Sequence, residues 1–573
     1  MSRGPAPRHV LGINLGHDRS ACLLRDGVVE VAVAEERLSR LKHDIPLNGS
    51  GERYCHGAHR AVAYCLDAAG IRPGDVDLVV GSTSYVLGPD GTRRNLTERD
   101  VRGQHPELAG VPIEVVGHHA AHAASAVAGI AEPEAAVLVI DGGGCIVGHD
   151  AQGRPTDFER STIYAWRDGR LTRIAGQTGG PPAYGNSLGD FYQLFTAYLG
   201  FRWGEEGKTM GLAAYDRRRP GWTPIDRFKD AIRVGPDGSH QVSEEFQYTA
   251  DGGFHPALLE WFGPPRPEPQ TEAPVDAALA ASVQWAIEDA VLRLAEAASE
   301  LTGRPRTLCF AGGVALNCVA NGRIVRESAF DDVFIQPAAT DDGTALGNAL
   351  LGWWSHGGGG ARPFRSAYLG RAYPAATVDA ALSRHRDEVR AEVLPDPTAA
   401  IVEDLVAGRI VALFRGGSEF GPRALGHRSI LCDPRRPEMK DHLNTRVKHR
   451  ELFRPFAPMA AAEHAATYFD LDRPSPYMLL ATDVRRPDLI PAVTHVDGSA
   501  RVQTVDAEQE PFLHGLLTAF GAATGVPVLL NTSFNDREPI VEDPEDALRC
   551  LLATGIDVLY LQDRRVTRVQ EAV

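Results

Sequence analysis

Two histidines at helical spacing, His118 and His122 in VVGHHAAHAASA, stand upstream of Asp141, which closes the apolar run AAVLVIDGGG. On a helix, positions i and i+4 share a face, so both imidazoles can turn to one point, and a carboxylate at a strand's end can reach the same point. This is chemistry for a metal ion. An isolated HxxxH pair also reads as surface or core histidines, because a zinc-type site needs further ligands. The segment PAATDDGTALGNALLG offers a fourth ligand in Asp341, just ahead of a helix that Asp341 and Asp342 could equally cap. Two histidines and two carboxylates would make a mixed nitrogen and oxygen site suited to Fe2+ or Zn2+, with positions left for a substrate oxygen.

His17, in the turn INLGHD, has an imidazole of near-neutral pKa that can take a proton from an attacking hydroxyl if that turn faces the same cleft; otherwise it is a lone surface histidine. Glycine-rich turns follow apolar strands at INLGHD, VIDGGG and CFAGGVALN. One such turn is ordinary. Three in one βα region point to a nucleotide cleft, because Gly142 and Gly143, and Gly312 and Gly313 ahead of Asn317, let backbone amides approach phosphate oxygens. Lysine is confined to positions 42, 208, 229, 440 and 448 in a chain otherwise basic through arginine. A compact ammonium is therefore of interest where it survives, in EERLSRLKH (Lys42), EEGKTMGLAAYD (Lys208) and NTRVKHRELFRPFAP (Lys448).

Later in the chain cations gather beside rigid Gly/Pro segments: Arg423 and Arg428 in EFGPRALGHRS, Lys448, Arg450 and Arg454 in NTRVKHRELFRPFAP, and Arg501 in HVDGSARVQT. The polar loop NTSFN, from Asn531 through Ser533, follows the apolar strand VPVLL. In an acidic protein this grouping suggests an anion pocket, although surface salt bridges give the same composition.

The elements that must position these residues read as α/β. Strands HVLGINLG and SACLLRDGVVEVAVAEER meet at an Arg25-Asp26-Gly27 hairpin turn, and strands then alternate with helices such as HRAVAYCLDAAG and a long one near 275–301. The glycine run in SHGGGGARPF marks a domain boundary, giving residues 1–360 and 361–573. No internal repeat is visible, and the Arg/Pro-rich stretches near 216–222 and 262–268 read as solvated loops. At 573 residues with net charge −16, the chain is long enough for two cores and repels phosphate backbones, so nucleic-acid binding is not expected, and with no uninterrupted apolar run of about 18 residues neither is a membrane span. Eight cysteines without CxxC pairs, and a first segment without a signal-peptide pattern, lead to the expectation of a cytoplasmic protein.

In this order HHAAH, VIDGGG, EGKTMGLAAY, GGVALN, EFGPRALGHRSIL, VKHRELFRPFAP and NTSFN resemble the NodU/CmcH family of O-carbamoyltransferases over nearly the whole chain. The resemblance implies an N-terminal actin-like, sugar-kinase-like ATPase (ASKHA) domain and a C-terminal YrdC-like domain. It implies that carbamoyl phosphate and ATP, with Mg2+, give carbamoyl adenylate and pyrophosphate, and that the carbamoyl group passes to a hydroxyl of a small-molecule, antibiotic-type acceptor. On this resemblance His118, His122, Asp141 and Asp341 are the metal ligands, His17 is the base, and Lys42 with the GGVALN turn holds the adenylate. Arg423, Lys448, Arg454, Arg501, Asn531 and Ser533 clamp ATP and carbamoyl phosphate, with Arg428 and Lys208 as further contacts. The rival readings are a tRNA threonylcarbamoyl-type transferase, disfavoured by the absence of a basic stripe, and a non-catalytic actin-like nucleotide-binding protein. Oligomeric state is left open.

Overall fold

The computed structural model describes residues 7–44, 57–87, 93–180, 185–269, 274–359 and 366–569. The chain forms two compact units: Met1–Ser39 with His43–Arg365, and Arg40–Lys42 with Ser366–Val573.

The first unit holds two principal sheets. In the first, β1 (His9–Asn14), β2 (Ser20–Arg25), β3 (Val28–Ala34), β4 (Leu78–Ser82) and β5 (Ile113–Val115) lie in the order β3-β2-β1-β4-β5. The β1–β2 and β2–β3 pairs are antiparallel, whereas β1–β4 and β4–β5 are parallel. The hairpin between β2 and β3 turns at Asp26 and Gly27, both at positive φ, which is what a two-residue turn matched to strand twist requires. The second sheet is built from β6 (Glu134–Ile140), β7 (Pro155–Arg167), β8 (Arg170–Gly179), β9 (Thr307–Ala311) and β10 (Asp332–Ile335), in the order β8-β7-β6-β9-β10. Again the first three strands pair antiparallel and the last two join in parallel. The unit is thus a topological duplication. The sequence shows no repeat because strand order is fixed by which apolar faces must be covered, and many unrelated residues satisfy that demand.

A helix, Thr344–Ser355, lies between β1 and a second helix, His118–Val127. The fit is close: a Cβ at Gly347 would stand 1.8 Å from the Ala121 carbonyl oxygen, so only glycine lets the two helices meet. This contact carries Asp341, just ahead of the one helix, to the histidines of the other. Helix Pro274–Leu301 matches the long helix expected from the sequence. The stretch near 262–268 differs from the expected solvated loop, because Arg266 is drawn onto the buried Asp276 at 2.7 Å.

The second unit is one nine-stranded mixed sheet. Its strands are β11 (Val389–Val393), β12 (Val411–Phe414), β13 (Arg428–Cys432), β14 (Ala457–Ala461), β15 (Leu480–Asp483), β16 (Ser499–Val505), β17 (Val528–Ser533), β18 (Val558–Leu561) and β19 (Arg564–Arg568), ordered β11-β19-β18-β12-β13-β17-β14-β16-β15. Helices Thr398–Val406 and Pro511–Thr524 cover its apolar core through Ile401, Leu405, Leu513 and Phe520. Among the described residues no helix is long and apolar enough to cross a membrane, and all the described cysteines are free.

Candidate active site

Helix His118–Val127 begins after Gly117 and presents both histidines on one face, as the i and i+4 spacing dictates. His118 Nε2 lies 3.2 Å from Asp141 Oδ2 and 3.3 Å from Asp341 Oδ1; His122 Nε2 lies 3.6 and 3.4 Å from the same two oxygens. Ligands about 2.1 Å from one ion stand about 3.4 Å apart when tetrahedral, a spacing these separations match, although the shortest, His118 to Asp141, is also a hydrogen-bond distance. All four side chains are buried, and His122 Nε2 and Asp341 Oδ1 have no hydrogen-bond partner. A buried polar atom without a partner is costly, and an ion would satisfy both. The donor set therefore fits Fe2+ or Zn2+.

The electrostatics point the same way. Burial works against charge on His118, yet Asp341 and Asp141 push its pKa well above the ordinary value, and His122 is raised similarly. Burial favours the neutral form of Asp141, but His118 and His122 hold its pKa far below the usual carboxylate range. Positive charge at the centre is what this pocket favours. The neighbouring His119 turns elsewhere, to Thr162 Oγ1 at 2.8 Å, and burial keeps it neutral. Asp342 turns to its own loop, accepting from Thr340 Oγ1 at 2.6 Å and from the Gly343 amide at 3.0 Å, and no side chain caps the helix that follows.

His17 stands beside this group, with Nε2 3.4 Å from Asp341 Oδ2 and Nδ1 2.9 Å from Asp18 Oδ2. Burial opposes its protonation, but Asp341 and Asp18 raise its pKa to about 10. Three residues that sequence spacing did not single out surround it. Asp18 also meets His43 Nδ1 at 2.7 Å through its other oxygen, and the Trp203 ring packs edge-on to both His17 and His43 at 5.3 and 5.2 Å. Asp18 and His43 both adopt positive φ, an uncommon conformation for side-chain-bearing residues that clusters at functional sites. His43 follows Lys42 in EERLSRLKH, so the motif was visible while the partner was not.

The expected phosphate-binding turns close around Asp141. The Gly313 amide donates to Asp141 Oδ1 at 3.3 Å, and Gly312, at φ 93°, passes so near the end of β6 that a Cβ would lie 2.2 Å from the Ile140 carbonyl oxygen. Gly142 and Gly143 are half-buried; the Gly142 carbonyl accepts from Ser187 Oγ at 2.9 Å and Arg160 Nη1 at 2.6 Å. Asp190, near Gly142 and Arg160, is pushed by burial up to about 7. Two expected ligands hold structure instead. Asn317 caps helix Cys318–Glu327 by accepting from the Ala320 amide at 3.1 Å and donates to Gln284 at 3.1 Å. Lys208 lies within helix Glu206–Arg217 and pairs with Glu205 at 2.6 Å.

In the second unit the cations divide. Burial lowers the Arg450 pKa well below its ordinary value and the nearby Arg454 and Arg501 add to it, so these three guanidinium groups crowd one region. Lys448 is buried too, and burial, with Arg450, Lys42 and Arg454 adding, holds its pKa far below the usual lysine range. Its ammonium is spoken for: Nζ donates to the Ser533 carbonyl, to Asn535 O at 2.9 Å and to Asn535 Oδ1 at 2.7 Å. Arg428 stands apart from the group. It is wholly buried over the Phe414 ring at 3.6 Å and donates to main-chain carbonyls of Arg415 at 2.7 Å and Glu542 at 3.3 Å, so it braces loops. Asn531 is buried on β17, donating to Gln503 Oε1 at 2.8 Å and Ala424 O at 3.2 Å, with its Oδ1 left without a partner. Arg423 lies in the loop before β13, in the segment whose Ala424 carbonyl receives that second bond.

Residues 102–350 match the family model described as Carbamoyltransferase N-terminus, and residues 402–568 match Carbamoyltransferase C-terminus. Nodulation protein NolNO of Sinorhizobium fredii is 34% identical over 95% of this chain and 78% of its own length. Nodulation protein NolO of Bradyrhizobium diazoefficiens is 36% identical over 78% of each chain. The 3'-hydroxymethylcephem-O-carbamoyltransferase of Streptomyces clavuligerus is 34% identical over 58% of this chain and 59% of its own. The chain belongs to the NodU/CmcH-type carbamoyltransferase family and is an enzyme of carbamoyl-group transfer.

Proposed function

We propose that the enzyme is an ATP-dependent O-carbamoyltransferase in which each unit carries one half of the reaction. The single observation that carries this reading is that His17 shares the Asp341 carboxylate with the buried His118, His122 and Asp141. A proton acceptor is thereby held beside a cation-binding pocket. We take the first unit as an actin-like, sugar-kinase-like (ASKHA) domain, a reading supported by its duplicated strand order, and the second as YrdC-like.

In the second unit Arg423, Arg454 and Arg501, with Arg450 and Lys42 nearby, would neutralise carbamoyl phosphate and ATP, two anions that repel one another, with Mg2+ accompanying ATP. Carbamoyl phosphate, ATP and water give carbamoyl adenylate, pyrophosphate and orthophosphate. Lys448 fixes the NTSFN loop, aligning Ser533 and Asn535. In the first unit the glycine turns at Gly142 and Gly312 would receive the adenylate phosphate through their amides.

His118, His122, Asp141 and Asp341 would hold Fe2+ or Zn2+, which when bound supplies Lewis-acid polarisation of an oxygen in the site. His17 Nε2 takes the proton of the acceptor hydroxyl only in the ring's neutral form, a minority at neutral pH because Asp341 and Asp18 raise its pKa to about 10, while Asp18 accepts from Nδ1. The acceptor oxygen bonds to the carbamoyl carbon, the carbon–oxygen bond to the phosphate breaks, and AMP leaves with the electron pair. The acceptor is a small-molecule alcohol of natural-product type, in keeping with the acidic charge that disfavours nucleic acid, and the free cysteines suit a cytoplasmic setting. The test is incubation with ATP, Mg2+, carbamoyl phosphate and a panel of polyhydroxylated natural products. An acceptor gaining one carbamoyl group with matching AMP release supports the reading; ATP consumption without any carbamoylated product across aminoglycosides, macrolactams and polyketides counts against it.

A further inference from the structure

A second group of ligand-type side chains in the first unit shares no residue with the His/Asp quartet. His59 opens helix His59–Ala69, His105 follows helix Glu98–Gln104, and Glu107 sits in the single turn Pro106–Leu108. His105 Nδ1 lies 2.7 Å from Glu107 Oε1, and His59 Nδ1 lies 3.5 Å from the same oxygen. The two rings are 4.8 Å apart between centroids, and one ligand atom from each of the three residues lies within 4.8 Å of the others.

A hydrogen bond explains only half of this. His105 and Glu107 are at bonding distance, whereas 3.5 Å with His59 is long for a hydrogen bond yet ordinary for two donors around one ion. His105 is completely buried, with Nδ1 as the nitrogen that faces Glu107; its Nε2, on the other side of the ring, has no hydrogen-bond partner and is not counted toward this group. The frame is held before any ion arrives: the Gly57 amide donates to Gln104 Oε1 at 3.1 Å and Arg19 Nη1 donates to the Gly57 carbonyl at 3.1 Å. His59, with 55% of its side chain exposed, gives an ion a way in from solvent.

We propose that His59, His105 and Glu107 form a second divalent-metal site that takes a borderline ion such as Zn2+ and clips the start of helix His59–Ala69 to the end of helix Glu98–Gln104. Two imidazoles and one carboxylate select Zn2+, Co2+, Ni2+ or Cu2+ over Mg2+ or Ca2+, and three protein ligands leave a position for water. The proposal is independent of the carbamoyl-transfer reading. The clip lies just ahead of β5 and of the helix that carries His118 and His122, so it stiffens the platform from which the quartet is built.

The experiment loads metal-stripped, tag-free, full-length protein with zinc chloride, removes free ion by gel filtration and counts zinc by inductively coupled plasma mass spectrometry. The wild type is expected to hold one zinc more than His59→Ala and Glu107→Gln, while His149→Ala, which removes an exposed histidine elsewhere, matches the wild type. His122→Ala is expected to lose the other equivalent. Equal zinc in wild type, His59→Ala and Glu107→Gln overturns the proposal, as does an equal loss in His149→Ala. If the wild type holds a single zinc, its disappearance in His59→Ala supports this site and removes support from the quartet, whereas its retention overturns this site.

Discussion

His17 Nε2 and Asp341 Oδ2 face one another across 3.4 Å, while the other oxygen of that carboxylate, Oδ1, meets the Nε2 atoms of His118 and His122. One side chain therefore joins His17 to the buried group of His118, His122 and Asp141. A change there is felt by both.

Asp341→Asn keeps the shape and removes the charge. Bound metal is expected to fall by more than the ~10–100-fold typical of losing an outer-shell partner, because a direct ligand is lost. Metal analysis of the purified variant against wild type checks this, and full retention of metal contradicts the ligand assignment.

Asp18→Asn removes the acceptor that holds His17 Nδ1 and also releases His43. Carbamoyl transfer is expected to fall by about 10²–10⁴-fold, the range for misaligning a general base, with pyrophosphate formation unchanged within ~2-fold. Equal loss of both activities in a folded variant would place Asp18 in structure alone.

Lys448→Met removes the donor from the carbonyls of half-buried Ser533 and buried Asn535, while Asn535 Oδ1 keeps the Ser533 hydroxyl at 2.8 Å. The expected cost is about 2–4 kcal/mol of stability in the second unit, since unsatisfied buried groups lose their full desolvation energy. Pyrophosphate formation should fall with it as the loop slackens. Because every tryptophan lies in the first unit, hydrogen exchange on β17 is the suitable readout.

Asp404 tests the pH dependence of the second unit. It is buried and accepts from Tyr560 Oη at 2.7 Å and from Arg565 at 3.0 Å. Burial alone would raise its pKa, but Arg565, Tyr560 and Arg409 together hold it below the ordinary carboxylate value. A depressed carboxylate contributes stability that is present above its unfolded pKa and is lost as pH falls through its folded value. Asp404→Asn is therefore expected to cost ~3–5 kcal/mol at pH 7, the loss for breaking a buried pair, with the gap to wild type closing below pH ~4. Hydrogen exchange on β12 and β18 at the two pH values measures it; a gap that widens in acid contradicts the pairing.

The grouping of His118, His122, Asp141 and Asp341 was legible because its spacing is periodic: HxxxH puts two rings on one face, and Asp141 and Asp341 sit at a strand end and just ahead of a helix. The hairpin at Asp26-Gly27 and the helix ending at Leu301 were legible for the same reason, since local φ and apolar spacing mark them. Asp18, His43 and Trp203 were not, because a bridge between two turns depends on their tertiary approach. Arg428 and Lys448 looked like anion ligands because sequence records the charge but not what it faces; here the guanidinium meets main-chain carbonyls and the ammonium meets Asn535. The doubled sheet order stayed hidden because the two sheets share a plan without sharing residues.

The most direct measurement separates the two proposed half-reactions in one mixture. Wild type, Asp341→Asn and Arg501→Ala are each combined with ATP, Mg2+ and carbamoyl phosphate, and carbamoyl adenylate and pyrophosphate are followed by mass spectrometry. The expected result is formation of both by wild type and by Asp341→Asn, and of neither by Arg501→Ala. Failure of folded wild type to form carbamoyl adenylate, or undiminished formation by Arg501→Ala, would contradict activation at the second unit's cation group.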